Sequence, residues 1–181
     1  MRLNAATAAS GAQRRGSRIR QWRSAYNPKP MKPDLQLLME VRARLEAPIV
    51  VGAVPEGTRR VVPISGGSFE GPRLRGEVLP GGADWQYLRG DGVMVVEAQY
   101  LLRTEDGVTL QVNNRGMRHG PEEVMRRLAA GASVDPAEYY FRATPRLCAP
   151  AGRYDWLNRR VFLCSGARFA DAVALWFYEV L

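Results

Sequence analysis

Two acidic side chains in the sequence are placed where they could move a proton. Asp84 follows the Gly81-Gly82 turn, and burial there would raise the pKa of its carboxyl group toward that of a useful base. The alternative for Asp84 is a carboxylate that caps the turn. Glu97 lies in an alternating segment, where it could pair with Arg142 or Arg146 inside a barrel, or with a neighbouring strand on the outside. Both acids are therefore candidate catalytic residues.

The single histidine, His119, is the third candidate for acid–base chemistry. Arg118 and Gly120 flank it at the start of a predicted helix, where the positive field of the helix favours the neutral ring. The alternative, which we favour, is a structural or solvated histidine in a loop. Cys148 and Cys164 have no zinc-site spacing beside one histidine, so the sequence predicts no metal site. Free thiols in a reducing cytoplasm explain the two cysteines.

Several basic and aromatic residues could bind a ligand. Arg142 and Arg146 share a parity on one predicted strand, so their side chains point the same way. Together with Arg115 and Arg118 they could hold an anion through bidentate contacts, whereas surface ion pairing is the ordinary alternative. Other side chains that could line such a pocket are Trp85, Asn113, Tyr140 and Trp156. Aromatic residues in a barrel are more often simply core.

The sequence contains none of the motifs that bind common cofactors. It has no phosphate-binding loop, dinucleotide-binding fingerprint or nucleophile elbow, and no helix is expected after the glycine-rich segment 66–71. It also has no run of 18 apolar residues, the length that a membrane-spanning helix requires. We therefore expect no cofactor and no membrane partner. The expected partner is a small organic molecule, and a homo-oligomer is compatible with the sequence.

The net charge of +8 is concentrated at the N-terminus. Residues 1–33 hold eight of the 26 basic residues and none of the 18 acidic ones, so residues 34–181 are formally neutral. The segment lacks apolar periodicity, which predicts a disordered basic tail ahead of a single domain at 34–181. Three origins of the tail stay open: a nucleic-acid-binding arm, an organellar transit peptide, or an upstream extension before a true start at Met31, which we favour.

Alternation of apolar and polar residues predicts strands over most of the chain after Asp34. Leu35–Glu46 has apolar residues at all its odd positions, a strong signal of a half-buried strand. Pro63 restricts Arg59–Ser65 to a strand end, an edge or a bulge, and glycine turns are expected at Gly66-Gly67 and after Glu70. The other predicted strands are Ile49–Val54, Trp85–Arg89, Val93–Thr104, Val108–Arg115, Tyr139–Leu147, Arg160–Ser165 and Ala172–Leu181.

One short helix interrupts this pattern. Pro121 suits the first helical turn, Glu122 and Glu123 favour the positive end of the helix dipole, and Gly131 ends the helix. We expect it to pack across one mouth of a barrel. Strand after strand with hairpin turns and a single helix predicts an all-β fold, an antiparallel β-barrel with one short helix near a barrel mouth.

Four blocks of the sequence resemble successive blocks of an uncharacterised, mainly bacterial family, catalogued as domain of unknown function 3237. The blocks are FEGPRLRGEVLPGGADWQ, NNRGMRHGPEEVM, DPAEYYFRATPRL and YDWLNRRVFLCSGAR, and the resemblance runs from about Leu35 to Leu181. It implies a barrel similar in architecture to allene oxide cyclases and lipocalins, with a cavity for a small molecule. It implies no activity, because the family has no generally established one, and fold-level analogy does not supply one.

Two function classes follow from these observations. The first is a small-molecule-binding barrel whose ligand is an anionic or carbonyl-containing organic metabolite. The alternative is a cofactor-free isomerase, cyclase or lyase, in which Asp84 or Glu97 moves a proton and an arginine stabilises the developing charge. Nucleic-acid binding through the basic tail is the weakest hypothesis, because the rest of the chain is neutral.

Overall fold

The structure, a computed structural model, describes residues 29–181, so most of the predicted tail lies outside the described residues. Residues 29–34 are exposed and form neither helix nor strand. The strands are β1 (Leu35–Leu45), β2 (Ile49–Val54), β3 (Gly57–Glu70), β4 (Arg75–Val78), β5 (Gly82–Leu88), β6 (Met94–Thr104), β7 (Thr109–His119), β8 (Tyr140–Cys148), β9 (Phe162–Arg168) and β10 (Ala172–Val180). The helix α1 spans Glu122–Ala129. Among these residues, no helix has the length and apolar character needed to cross a bilayer.

The strands close into an antiparallel barrel with eight positions around its wall, which confirms the predicted fold. The order around the wall is β1, β10, β9, β8, β7 and β6, and then β4 and β5, which share one position and both join β6 to β3. β3 pairs with β1 and closes the ring. β2 pairs with the first part of β3 only, so it extends the wall beyond the end of β1.

The alternation of residue types determines which side chains form the core. In β7, Leu110 and Val112 are fully buried, whereas Gln111 and Asn113 between them are exposed. Successive side chains of a strand point to opposite faces, so every second residue of each strand enters the interior. The same rule places Met39 and Val41 of β1 in the core.

Gly66 and Gly67 do not form the predicted turn, because β3 continues through them as a strand of 14 residues. Their φ angles are +131° and +149°, a region that side chains disfavour. A Cβ atom on Gly67 would lie 2.0 Å from the carbonyl oxygen of Arg42 in the neighbouring β1. The glycine is therefore required for the close approach of two strands.

Pro63 also differs from the prediction, because it lies in the interior of β3 and not at a strand end. On one side of β3, pairing with β2 ends at Val61 and pairing with β1 begins at Ile64. Pro63 lies in the gap between these partners, where its carbonyl oxygen accepts a hydrogen bond of 3.0 Å from the Glu46 amide. A residue in this gap needs no amide for the sheet, so proline is tolerated.

The two ends of the barrel are covered by different connections. At the helix end, where β7 finishes, α1 buries Val124 and Leu128 against the core. At the opposite end, which we call the plug end, the connection between β8 and β9 contains a short 3-10 helix at Asp155–Arg159. Tyr154 and Leu157 of this connection are buried and fill the plug end.

Candidate functional site

A cavity of about 40 Å³ lies inside the barrel, among the strand residues nearest the helix end. Such a volume holds about three water molecules or the head group of a small ligand. Apolar side chains line the cavity on several strands, as expected for a barrel interior. The polar side chains in its wall are Asp84, Gln86, Tyr100, Asn114, Arg118 and Arg168.

Strand alternation brings these polar residues to the interior. Asp84 and Gln86 are two positions apart on β5, so both face inward. The strand register places Asp84 opposite Ala98 of β6, and Ala98 opposite Asn114 of β7, so that Asp84 and Asn114 occupy one layer. Arg118 lies two inward-facing positions further along β7, toward the helix end, and also lines the cavity.

The Asp84 carboxylate is held in place by two neutral donors. Its Oδ1 atom accepts a hydrogen bond of 2.9 Å from the Glu97 amide, and its Oδ2 atom accepts one of 2.5 Å from Gln86 Nε2. The Oε1 atom of Gln86 in turn accepts a hydrogen bond of 2.8 Å from Arg60 Nε. Arg60, Gln86 and Asp84 therefore form a chain that fixes the carboxylate against the cavity.

Burial raises the pKa of the Asp84 carboxyl group above its ordinary value, because desolvation penalises the charged form. The hydrogen bonds from Gln86 and from the Glu97 amide oppose this effect, and so do the positive charges of Arg118 and Arg60. Among the described residues, the hydrogen bonds to this carboxyl group come from neutral donors and not from a cation.

Three guanidinium groups carry charges that act together with that of Asp84. Burial lowers the pKa of Arg118 to about 10, with a further contribution from the charges of Arg168 and Arg60, so Arg118 still carries its proton at neutral pH. Burial also lowers the pKa of Arg60 and of Arg168. Asp84, together with Asp171 beside Arg168, sets two negative charges against these three cations, and an anionic ligand would balance the remaining positive charge.

Three buried polar atoms at the cavity have no hydrogen-bond partner within residues 29–181. They are the hydroxyl oxygen of Tyr100, Oδ1 of Asn114 and Nε of Arg118. Folded proteins pair nearly all buried polar groups, because an unpaired one costs free energy. Three such atoms in the wall of one cavity indicate a place where a ligand or ordered water supplies the partners.

The structure places several predicted site residues on the outer face of the barrel. Glu97 forms an ion pair of 3.0 Å with Arg115 there, which is the exterior arrangement considered above. His119 stacks on Tyr140 at 4.9 Å, and the guanidinium of Arg142 lies 5.4 Å from the same ring. These residues form an outer cluster that is separated from the cavity by the sheet.

The remaining predicted ligand-binding residues also lie away from the cavity. Trp85, Asn113 and Arg146 are exposed and have the outward parity of their strands. Trp156 lies at the plug end, where the guanidinium of Arg73 stacks on it at 3.5 Å. Of all the predicted site residues, the structure brings only Asp84 and Arg118 to the cavity.

Several residues in or beside the cavity wall were not predicted from the sequence. Gln86 has the same parity as Asp84, and Asn114 has the same parity as Arg118, so strand alternation alone could have found both. Arg60 lies opposite Gln86 on the neighbouring β3, and Tyr100 lies on β6 between β5 and β7, whereas Arg168 of β9 meets these residues only across the closed barrel. Their participation depends on the strand register, which the sequence does not give.

The cysteines have no place in the chemistry of the cavity. Cys148 and Cys164 are free thiols, and burial raises the pKa of Cys164 to about 12, so Cys164 carries its proton at neutral pH. Its sulfur accepts a weak hydrogen bond of 3.9 Å from Asn114 Nδ2. In the part of the chain that the structure describes, no group of three or more His, Cys, Asp or Glu side chains could hold a metal ion.

Comparison with solved structures confirms the fold. A protein of unknown function from Rhodopseudomonas palustris has a crystal structure that is similar with a TM-score of 0.81 and 37% identity, over 84% of this chain and 100% of that chain. An enzyme from Penicillium herquei is similar in fold alone, with a TM-score of 0.65 and 17% identity over 86% of this chain and 100% of that chain. These similarities do not confirm the likeness to allene oxide cyclases and lipocalins, which stays a prediction.

Sequence comparison agrees with the structural one. A UPF0311 protein from Rhodopseudomonas palustris strain TIE-1 is 38% identical over 153 residues, which cover 83% of this chain and 100% of the relative. Residues 33–180 match the family described as Protein of unknown function (DUF3237). That match covers the whole barrel and confirms the resemblance that the four sequence blocks indicated. The chain belongs to the DUF3237 family.

Proposed function

We propose that this protein binds a small organic anion in the cavity at the helix end, a carboxylate that also carries a hydroxyl or carbonyl oxygen. The observation that carries the proposal is the set of three buried, unpartnered polar atoms on Tyr100, Asn114 and Arg118. Each of these atoms has a free-energy cost when it is left without a partner. A ligand that pairs with them removes that cost on binding.

The charge of the site favours an anion. Arg60, Arg118 and Arg168 influence one another through their charges, and Asp84 is the one carboxylate that acts on all three. Buried cations without enough counter-charge are costly, and a bound carboxylate would reduce that cost. A guanidinium also offers a carboxylate two parallel N–H donors.

The hydrogen-bonding capacity of the site requires more than a carboxylate. Arg118 Nε donates, Asn114 Oδ1 accepts, and the Tyr100 hydroxyl does either. A ligand that satisfies all three atoms therefore needs an acceptor and a donor close together. Small 2-hydroxy acids have both, and 2-oxo acids have both in their enol form. A ligand with a purely hydrocarbon head would leave the three atoms unpaired.

The size of the cavity limits the part of the ligand that enters. A volume of about 40 Å³ accommodates roughly three water positions, and hence a head group of a few heavy atoms. Acids with two to four carbon atoms are suitable first probes, since their polar atoms are concentrated in a group of that size.

The proposal is tested by titrating the full chain with glycolate, lactate and pyruvate in a calorimeter, with glycolamide and lactamide as neutral controls. We expect the acids to bind and the amides to bind much more weakly. At 100 times its dissociation constant, an acid should stabilise the fold by about 2.7 kcal/mol. That corresponds to a rise in melting temperature of several degrees, at about 2–4 °C per kcal/mol.

Two arginine variants locate the binding site. Arg118→Met removes the buried donor and should weaken acid binding about 10- to 100-fold, the effect of losing a hydrogen bond to a charged group. Arg142→Met is the matched control, because Arg142 lies on the outer face over Tyr140. Equal effects of the two substitutions, or equal affinity for acids and amides, would contradict the proposal.

A further inference from the structure

We infer that Asp84 removes a proton from the carbon next to the carbonyl group of a bound 2-oxo acid, so that the cavity catalyses keto–enol interconversion without a cofactor. The inference rests on the proposed function, because the acid must first bind. It goes further, since binding alone requires no base in the cavity wall.

The placement of Asp84 suits a base. Both of its oxygens accept hydrogen bonds from neutral groups, the Glu97 amide at 2.9 Å and Gln86 Nε2 at 2.5 Å. A carboxylate has about four lone-pair sites, so each oxygen keeps capacity to accept a proton from a ligand. Gln86 is itself fixed by Arg60 at 2.8 Å, so the carboxylate is oriented before a substrate arrives.

The position of Arg118 suits the stabilisation of negative charge on oxygen. Its Nε atom is buried in the cavity wall without a partner. The carboxylate and keto oxygens of a 2-oxo acid can lie side by side, and two N–H groups of one guanidinium match that pair. A fixed donor of this kind stabilises the charge that develops when a carbonyl becomes an enolate.

The step balances without an oxidant, a reductant or a second substrate. The C–H bond beside the carbonyl breaks, its proton forms an O–H bond with Asp84, and its electron pair forms a C=C bond. The carbonyl π electrons move to oxygen, where Arg118 Nε–H donates to the enolate. Asp84 then returns the proton to the oxygen, giving the enol, or to the carbon, giving the keto form. In the enol form, the new O–H group can donate a hydrogen bond to Asn114 Oδ1, which gives this buried acceptor a partner.

Proton exchange with solvent reports this step directly. Pyruvate or 2-oxobutyrate is incubated with the full chain in D₂O, and the loss of the proton signal beside the carbonyl is followed by NMR. Calorimetry of the same samples measures binding independently. We expect the wild-type chain to accelerate exchange above the rate in buffer.

Neutralising the base separates catalysis from binding. Asp84→Asn should lower the protein-catalysed exchange rate about 100-fold or more, the usual contribution of a general base. The same variant should bind the acids as tightly as the wild type or more tightly, because it removes a negative charge from the cavity. Asp91→Asn is the matched control, since Asp91 lies in the exposed turn between β5 and β6 and pairs with Arg89 at 2.5 Å. This control variant should catalyse exchange of the substrate proton at the wild-type rate.

Gln86→Leu provides a second test that leaves the base itself in place. It removes one hydrogen bond that lowers the pKa of Asp84, so the exchange rate should rise with pH over a higher pH range than in the wild type. The groups that act on Asp84 through charge, Arg118 and Arg60, are retained in this variant.

The outcomes distinguish the two proposals. Binding of the 2-oxo acids without accelerated exchange, or exchange that is unchanged in Asp84→Asn, would overturn the inference and leave the proposed function intact. Binding of lactate with no binding of either 2-oxo acid would overturn it in the same way. If no acid of the panel binds, both proposals fail.

Discussion

Each end of the barrel places a carboxylate near arginines, the buried Glu179 at the plug end and the half-buried Asp84 at the helix end, but only Glu179 is directly paired with them. At the plug end, Glu179 accepts contacts from Arg73 at 2.8 Å and from Arg160 at 2.9 Å. At the helix end, Asp84 accepts hydrogen bonds from neutral groups only, and Arg118 keeps an unpartnered Nε atom. The chemical groups are similar, but the charged groups of the plug end are paired with one another, whereas the helix end keeps polar atoms without a partner among the described residues.

This difference separates a structural cluster from a site. Arg73 of the plug end also stacks on Trp156, so its charge and its flat surface both have partners. The carboxylate of Glu179 and the guanidinium of Arg73 are therefore paired within the fold, without a ligand. The helix end keeps unsatisfied atoms next to a cavity, which a fold would avoid if stability alone determined the sequence. We therefore expect substitutions at the plug end to lower stability, and substitutions at the helix end to change binding without lowering stability.

The largest effect is expected for Glu179→Gln at the plug end. This change weakens two hydrogen bonds to guanidinium groups and leaves both arginines without a counter-charge. It should lower the free energy of unfolding by about 2 to 3 kcal/mol. The measurement is urea denaturation. Glu105→Gln, which breaks an exposed pair with Arg75, is the control and should change the same quantity by less than about 1 kcal/mol. Equal losses in the two variants would remove the distinction.

Two buried tyrosines allow a matched comparison of the ends. The Tyr154 hydroxyl donates to Asp106 at 3.0 Å, so Tyr154→Phe should lower the free energy of unfolding by about 1 kcal/mol. The Tyr100 hydroxyl has no partner among the described residues, so Tyr100→Phe should leave the free energy of unfolding unchanged or raise it by about 1 kcal/mol. Thermal melting of both variants checks the opposite signs. A clear loss in Tyr100→Phe without ligand would show that its hydroxyl is paired within the fold.

The smallest effects are expected in the pH dependence of stability. There, Asp84→Asn and Asp106→Asn should change the free energy of unfolding at pH 7 in opposite directions. The folded pKa of Asp84 is raised, so the stability it contributes is present below its unfolded pKa and is lost as pH rises through its folded pKa. Asp84→Asn should therefore be more stable than the wild type at pH 7, and the difference should shrink toward acid pH.

Asp106 at the plug end should behave in the opposite way. A hydrogen bond from Thr104, with others from Tyr154 and Arg153, lowers the pKa of its carboxyl group, so its contribution is present above the unfolded pKa and is lost as pH falls through the folded pKa. Asp106→Asn should be less stable than the wild type at pH 7 and should converge with it in acid. Melting temperatures of both variants between pH 3 and pH 7 test these signs, and parallel curves would contradict them.

Sequence patterns predicted most of the wall because each strand carries its own evidence. Alternation in Leu35–Leu45 and Met94–Thr104 reports which side of a strand is buried, and it needs no knowledge of the neighbouring strand. The helix was predicted from its own first turn and its terminal glycine. The glycine pair of β3 was misread as a turn. A close approach between two strands requires glycine, and so does a tight turn, so the residue type alone does not distinguish them.

The site was predicted less well because it depends on register. Arg115 and Arg118 are three positions apart, so they face opposite sides of β7, and grouping them in one anion site was inconsistent with strand geometry. Asp84 was found because an acid beside a turn is conspicuous in the sequence. Arg60 and Arg168 were not identified from the sequence, because Arg60 comes near Asp84 through the register of β3 with β5, and Arg168 of β9 does so only in the closed barrel.

The pairing of β1 with β10 has a consequence for how the protein is made. These strands are the first and the last of the barrel, with Leu35 opposite Val180, yet they form one of its seams. Contacts between residues so far apart in sequence slow folding, because a long loop must close before they form. Val173 and Leu175 of β10 also line the cavity. The ring can therefore close only after β10 has been synthesised and has left the ribosome, and until then the cavity is incomplete.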